Sequence, residues 1–352
     1  MADDVLIYGS YGYTGALITE RAAEEGLSPT LAGRRAEPLE RQATDRDLDY
    51  RVFTLDHPSV VANRIEAFDA VLNCAGPFSA TADALVAACL ETGTDYLDIT
   101  GEIDAFEATA ERDRDAEKAD VTLLPGVGFD VVPTDCLAAH LAGKLHDATH
   151  LRLAIDGLST FSPGTLKSVV EGLSEGGAAR IDGQIETVPP AWKTRRIDLG
   201  TGPKPAVTIP WGDVSTAYYS TGIGNIETYA AVPGFAARVM RRTDRLAPLL
   251  GTQPIQTLLK ELVDATVTGP TAAQRALSTT RVWGEVENDD GDRAAARLEL
   301  PDTYDFTART ACEVVRRVLD GDVESGFQTP ASAFGADFVL DFDGVLRTDI
   351  DG

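Results

Sequence analysis

The chain has 352 residues, enough at roughly 150 per domain for about two domains, each able to bury a sizeable core. With 43% hydrophobic and 25% charged residues the composition is globular, which excludes an intrinsically disordered chain. A formal net charge of −25 excludes an electrostatic nucleic-acid surface, which needs clustered Lys and Arg, and disfavours docking on anionic lipid.

Only six of the 31 cationic residues are Lys, and the acids divide into 35 Asp and 21 Glu. Self-repulsion at this charge destabilises a compact monomer in dilute buffer, and molar salt screens it to a Debye length of about 3 Å. The Asp-rich, Lys-poor balance resembles that of halophilic archaeal proteins; the alternative is an ordinary acidic cytosolic protein. Cys74, Cys89, Cys136 and Cys312 form no CxxC pair, the four histidines show no HExxH pattern, and His146 and His150, though four apart, are separated by a strand expected from Thr149 to Ile155, so neither a metal site nor a disulfide framework is expected. The first apolar run starts at Val5 behind Asp3 and Asp4, and no apolar stretch reaches about 18 residues. These features predict a cytoplasmic protein of a reducing compartment, with no signal peptide and no integral membrane segment.

In chain order, short strands are expected at Val5–Tyr8, Thr30–Ala32, Arg51–Leu55, Ala70–Asn73, Tyr96–Ile99 and Val121–Leu124. Helices are expected between them, at Gly15–Glu25, Ala80–Thr92 and Ala105–Ala119 among others. Strands alternating with helices imply an α/β fold, a Rossmann-type doubly wound parallel sheet. After Pro133 the pattern changes. A helix at Leu137–Leu145 precedes a half-buried strand at Leu151–Ile155, and Asn225–Val232 is a further strand. A hairpin joins Thr280–Glu287 to Arg293–Leu300 through Asn288–Asp292. Phe235–Asp264 is expected to be helical with breaks near Pro248 and Pro254, and the tail helical at Phe306–Leu319 and Pro330–Leu340. The middle third therefore reads as an inserted α+β domain carrying a mixed or antiparallel sheet.

The chemistry sits where the first strand hands over to the first helix, at Gly9-Ser10-Tyr11-Gly12-Tyr13-Thr14-Gly15. Gly9 suits a strand-to-helix turn, Gly12 lets backbone approach a pyrophosphate, and Gly15 lets helix pack on sheet. The helix N-terminus then offers N–H groups to the phosphates. At the end of the second strand an NAD binder places an acid for the ribose hydroxyl; this chain has Ala32-Gly33-Arg34-Arg35. Guanidiniums at Arg34 and Arg35 fit a 2′-phosphate and predict NADP(H). Asp56, after the third strand, faces the adenine or caps the next helix. Cys74, Ala75, Gly76, Pro77 and Phe78, after the fourth, are expected along the nicotinamide ribose. No Tyr-x-x-x-Lys pair, Gly-x-Ser-x-Gly elbow or Walker A lysine is present.

These blocks, with Asp95-Tyr96-Leu97-Asp98-Ile99-Thr100-Gly101-Glu102 and the run Pro125 to Asp135, resemble the NADP-binding domain of saccharopine-dehydrogenase-like oxidoreductases. The trans-acting enoyl reductases are similar in pattern, including a Ser162-Pro163-Gly164-Thr165 run and a late Thr329-Pro330-Ala331. The resemblance covers residues 5–135 and extends to 303–340. It implies a Rossmann domain of residues 1–135 plus 303–352 and an inserted substrate and dimerisation domain of 136–302. The active cleft would lie between them, with the helix Gly164–Glu175 near its mouth. It also implies a reductase acting on an apolar C=C or C=N bond. Genuine saccharopine chemistry needs clustered cations, and Arg180, Lys193, Arg195 and Arg196 are scattered.

Tyr96, Asp98, Glu102 and Asp130 are the candidate proton donors, standing after the fifth and sixth strands; the alternative is that the acids cap the following helices. Trp192, Trp211, Tyr218, Tyr219 and Phe235 either line an apolar pocket or pack a core or dimer sheet. The expected function is an NADPH-dependent oxidoreductase with a small-molecule substrate, associating as a homodimer through the second domain's sheet. The competing reading is a non-catalytic NADP(H) sensor or scaffold.

Overall fold

A computed structural model describes residues 5–157, 162–172, 176–232 and 252–350. It divides into two units, residues 1–130 with 304–333 and residues 131–303 with 334–352.

The first unit opens with β1 (Val5–Tyr8), four consecutive apolar residues buried on both faces, as a central parallel strand requires. Next come α1 (Tyr13–Glu24), β2 (Thr30–Gly33), α2 (Ala36–Arg46), β3 (Tyr50–Val52) and α3 (Pro58–Ile65). They are followed by β4 (Ala70–Asn73), a 3-10 turn at Phe78–Ala80, α4 (Ala82–Thr92) and β5 (Asp95–Asp98). The helix expected over Ala105–Ala119 is two, α5 (Ile103–Ala110) and α6 (Asp113–Ala119), because Arg112 leaves helical geometry between them. The third strand starts one residue earlier than expected and stops at Val52, where Phe53 turns inward and bonds the Gly33 carbonyl through its N–H. With β6 (Thr122–Leu124) the sheet runs β3-β2-β1-β4-β5-β6, every neighbouring pair parallel. This is the doubly wound order, in which the chain reverses its direction of winding between β1 and β4.

The second unit contributes α7 (Val132–Lys144), β7 (His150–Asp156), α8 (Pro163–Gly172), β8 (Gly177–Ile181), β9 (Gln184–Val188), β10 (Thr194–Asp198) and β11 (Pro203–Thr208). Then follow α9 (Asp213–Thr221), β12 (Asn225–Ala231), α10 (Gln253–Thr266), α11 (Ala272–Ala276), β13 (Thr280–Glu287) and β14 (Arg293–Leu300). The expected hairpin is present residue for residue in β13 and β14, whereas Phe235 and Pro248 lie outside the described residues. Pro254 opens α10 instead of breaking it, its missing N–H falling in the first turn. The sheet is mixed, β7 pairing parallel with β12 and antiparallel with β13.

One face of this sheet receives α7: a Cβ at Gly284 would stand 2.7 Å from Leu141. The opposite face carries cross-strand ion pairs, Arg152 with Glu285 and Glu287, Lys204 with Asp156, Arg281 with Glu299 and Lys193 with Glu227. Trp192 lies under Lys193 and Tyr218 under Arg180, so these two aromatics sit against cations, while Trp192 and Tyr219 are exposed.

The chain then returns to the first unit through α12 (Thr303–Leu319) and β15 (Gly326–Phe327), a seventh parallel strand beside β6. Along α12, Thr310 donates to the Val127 carbonyl and Thr307 accepts the Phe129 N–H, so the helix holds the loop after β6. A short helix, α13 (Pro330–Phe334), ends at Gly335, whose φ of +83° stops the longer helix expected to Leu340. The last stretch, expected with the first unit in the limits 303–352, lies in the second unit from Phe334 on. β16 (Leu346–Ile350) pairs antiparallel with β14, and Asp349 takes Lys144 and His140 of α7.

Candidate functional site

The loop from Gly9 to Gly15 leaves β1 at the reversal point of the first sheet, outside its carboxyl edge, where ligands of such sheets bind. Gly9 has φ +83°, and a Cβ there would lie 2.8 Å from Ala75 in the loop after β4. At Gly15 a Cβ would stand 2.4 Å from the Gly9 carbonyl oxygen and 3.0 Å from Ser10 Cα. Glycine at these positions keeps α1 close under the loop, leaving a backbone-lined cradle at the helix start. That cradle fits a pyrophosphate. Ser10 is fully buried, donating to Gln42 Oε1 at 2.9 Å while Gln42 Nε2 donates to the Ser10 carbonyl at 2.9 Å. The loop is thereby tied to α2. Tyr13 meets Tyr304 of α12 edge to face, with ring centroids 5.0 Å apart.

Arg34 and Arg35 are exposed just beyond β2, and Arg35 is the residue that precedes α2. Neither makes an ion pair with the described residues. Burial pushes the Tyr8 phenol up to about 12 against the pull of the Arg34 charge, so Arg34 acts on the same carboxyl edge. Asp56 is exposed after β3 and also acts on Tyr8, while His57 occupies the cap of α3 with no side-chain bond. The capping alternative for Asp56 therefore has no hydrogen bond behind it.

After β4, Asn73 organises the next loop. Its Oδ1 accepts the Ala75 N–H at 3.0 Å and its Nδ2 donates to Thr81 Oγ1 at 3.0 Å. Cys74 donates its N–H to the Tyr8 carbonyl, and burial pushes its thiol up, which keeps it unreactive. Gly76 and Pro77 are joined by a cis peptide bond, and Phe78 is buried behind them. The Glu102 carboxylate accepts the N–H groups of Phe78 and Ser79 at 3.0 and 2.8 Å. It was expected to cap its own helix or to transfer a proton. It occupies the cap position of α5 without a side-chain cap bond, and its side chain holds the loop after β4.

Asp98 is fully buried at the end of β5. Its Oδ1 accepts the Thr100 and Gly126 N–H groups, each at 2.9 Å, and its Oδ2 accepts the Tyr96 hydroxyl at 2.8 Å. Desolvation raises its carboxyl from 3.8 to about 6 against those three bonds. Tyr96, Asp98 and Glu102 thus join the loops after β4, β5 and β6 into one bonded frame. Asp130 follows β6; burial brings its carboxyl to about 6, and a Cβ at Gly101 would stand 3.0 Å from it. Val131, not Asp130, occupies the cap of α7. Gln42 and Thr307 were not singled out by the sequence, since each acts through a partner distant along the chain.

Among the described residues no group of His, Cys, Asp and Glu is placed to hold a metal ion, and no helix is long and apolar enough to cross a membrane.

Residues 5–124 match the family described as the saccharopine dehydrogenase NADP binding domain. A bovine (Bos taurus) saccharopine dehydrogenase-like oxidoreductase is 27% identical over 201 residues, 49% of this chain and 46% of that protein. A trans-acting enoyl reductase of Mycobacterium leprae is 31% identical over 140 residues, 38% of this chain and 34% of that protein. The matches span less than half the length of these relatives. The apo structure of a saccharopine dehydrogenase (L-Glu forming) from Saccharomyces cerevisiae superposes with a TM-score of 0.70 at 14% identity, covering 99% of this chain and all of that one. It shares the fold. The chain is accordingly similar to the saccharopine dehydrogenase-like oxidoreductases over about half of its length, and its residues 5–124 match the NADP binding domain of that family.

Proposed function

We propose that the chain is an NADPH-dependent oxidoreductase that reduces a C=C, C=N or C=O bond of a small apolar substrate. The observation that carries this reading is the pair Arg34 and Arg35 at the edge of β2, in place of an acid, beside the glycine cradle. A bound NADPH would supply a hydride. The residues of this chain bind and orient: the cradle takes the pyrophosphate, the two guanidiniums the 2′-phosphate, and the loop 74–78 the nicotinamide ribose. Of the four candidate donors, Asp130 is assigned the proton, since it follows β6 on the carboxyl edge of the sheet and burial brings its carboxyl to about 6.

Titration with NADPH and NADH in about 2 M KCl, which screens the net charge of −25, tests the cofactor. NADPH is expected to bind at least tenfold tighter, and to be oxidised with an enoyl, imine or carbonyl acceptor. Binding without turnover on any acceptor class would instead favour a non-catalytic sensor, a reading supported by the commitment of three of the four donors to structural bonds.

The same reading places the protein in the cytoplasm and pairs two copies through the ion-paired face of the second sheet. Its Arg152, Arg281, Lys193 and Lys204 pairs balance charge where the rest of the chain is strongly acidic. Sedimentation in molar salt should then give twice the 37.4 kDa chain mass, and a single-chain mass would end the dimer proposal.

A further inference from the structure

We propose that Tyr11 sets the preference for NADPH by positioning Arg35, and that position 33 is glycine in order to admit its ring. This rests on the 2′-phosphate reading of Arg34 and Arg35.

Gly33 closes β2 without a left-handed φ, so its backbone conformation is open to any residue. What excludes a side chain is Tyr11. A Cβ at position 33 would lie 2.6 Å from Tyr11 Cε1 and 3.4 Å from Cζ and the hydroxyl. The ring is half-buried against Leu31, Leu39 and Ala43, the small cluster between β2 and α2. On its other side the Arg35 guanidinium stands 5.7 Å from the ring centroid, within cation–π range. Tyr11 also belongs to the glycine loop, and its neighbour Ser10 is bonded twice to Gln42 of α2. One side chain therefore links the loop that cradles the pyrophosphate to the arginine that meets the 2′-phosphate.

An exposed arginine with no anchor must give up much rotamer freedom on gripping a phosphate. The ring beneath the guanidinium restricts it before the ligand arrives, and preorganisation of this kind strengthens binding without any new contact. Tyr11 stands beside the arginine and away from the reacting atoms, so it acts as a positioning residue whose loss changes the preference between the two dinucleotides.

The test is calorimetric titration of Y11A, Y11F and G33A with NADPH, NADH, 2′,5′-ADP and 5′-AMP, beside the R34A/R35A double variant. Y11A should weaken NADPH and 2′,5′-ADP about two- to fivefold more than NADH and 5′-AMP, while Y11F retains wild-type preference. G33A keeps an allowed backbone, displaces the ring and should show the same selective loss. In an R35A background, Y11A should have no further effect. Equal weakening of NADPH and NADH by Y11A, or additivity with R35A, would overturn the proposal and leave Tyr11 as loop packing. If R34A/R35A changes the NADPH to NADH ratio and Y11A does not, this inference alone fails. If R34A/R35A leaves the ratio unchanged, the 2′-phosphate reading itself fails.

Discussion

Replacing Arg34 and Arg35 together with alanine should weaken NADPH binding by about 1–3 kcal/mol and leave NADH near its original affinity. The two side chains stand exposed beyond β2, with no ion pair to the described residues to be broken, so the substitution removes charge without orphaning a buried partner. Stability should therefore hardly change. In a chain with 56 acidic and 31 basic residues, two guanidiniums with no ion pair among the described residues are, on the proposed reading, what would bring a dianionic phosphate to this edge. The grip is partly screened in molar salt, which places the loss nearer about 1 kcal/mol there and nearer 3 at lower salt. Calorimetry with both dinucleotides at two KCl concentrations measures this. Equal loss for the two cofactors would remove the 2′-phosphate from these residues.

The parts of this site that were legible in the sequence are those set by backbone demands. Gly9 and Gly15 announce a turn and a close approach, and the structure shows what a side chain would meet there. The hairpin of β13 and β14 was legible because alternation on both strands and the polar Asn288–Asp292 turn agree. What was not legible depends on partners remote in the chain. Nothing local to Glu102 says that its carboxylate reaches the N–H groups of Phe78 and Ser79, 24 and 23 residues away. Nothing around Leu346–Ile350 says that this strand pairs with β14 and that Asp349 meets Lys144, 205 residues earlier. The tail was read with the nucleotide-binding domain for want of that pairing. Gly33 was legible as a residue but not as a space, because only the placement of Tyr11 gives its missing Cβ a purpose.

Asp98→Ala should cost about 3–5 kcal/mol of stability, more than any surface change in this protein. It leaves the Thr100 and Gly126 N–H groups and the Tyr96 hydroxyl without their acceptor in a fully buried place. Asp98→Asn keeps an oxygen for the backbone donors but sets an N–H₂ against a hydroxyl that already takes the Asn73 amide, and should cost less, about 1–2 kcal/mol. The pH dependence separates the burial of the charge from the loss of the bonds. The Asp98 carboxyl stands at about 6 in the folded chain against 3.8 as its ordinary value, so between these pH values the folded state binds the proton more tightly than the unfolded state. Stability from this group is therefore greatest below about pH 4, falls as pH rises towards 6 and is level above, by about 1.4 kcal/mol per unit of pKa difference. Asp95, also raised to about 6 by burial, adds a slope of the same sign. Denaturant unfolding in molar salt at pH 5 and pH 7.5 should show the wild type losing stability at the higher pH, and Asp98→Asn losing less. An identical slope in the two proteins would mean that Asp98 is not desolvated in the folded state. The frame that joins the loops after β4, β5 and β6 would then be open to water, and a cofactor bound on it would lose the fixed surface that hydride transfer needs.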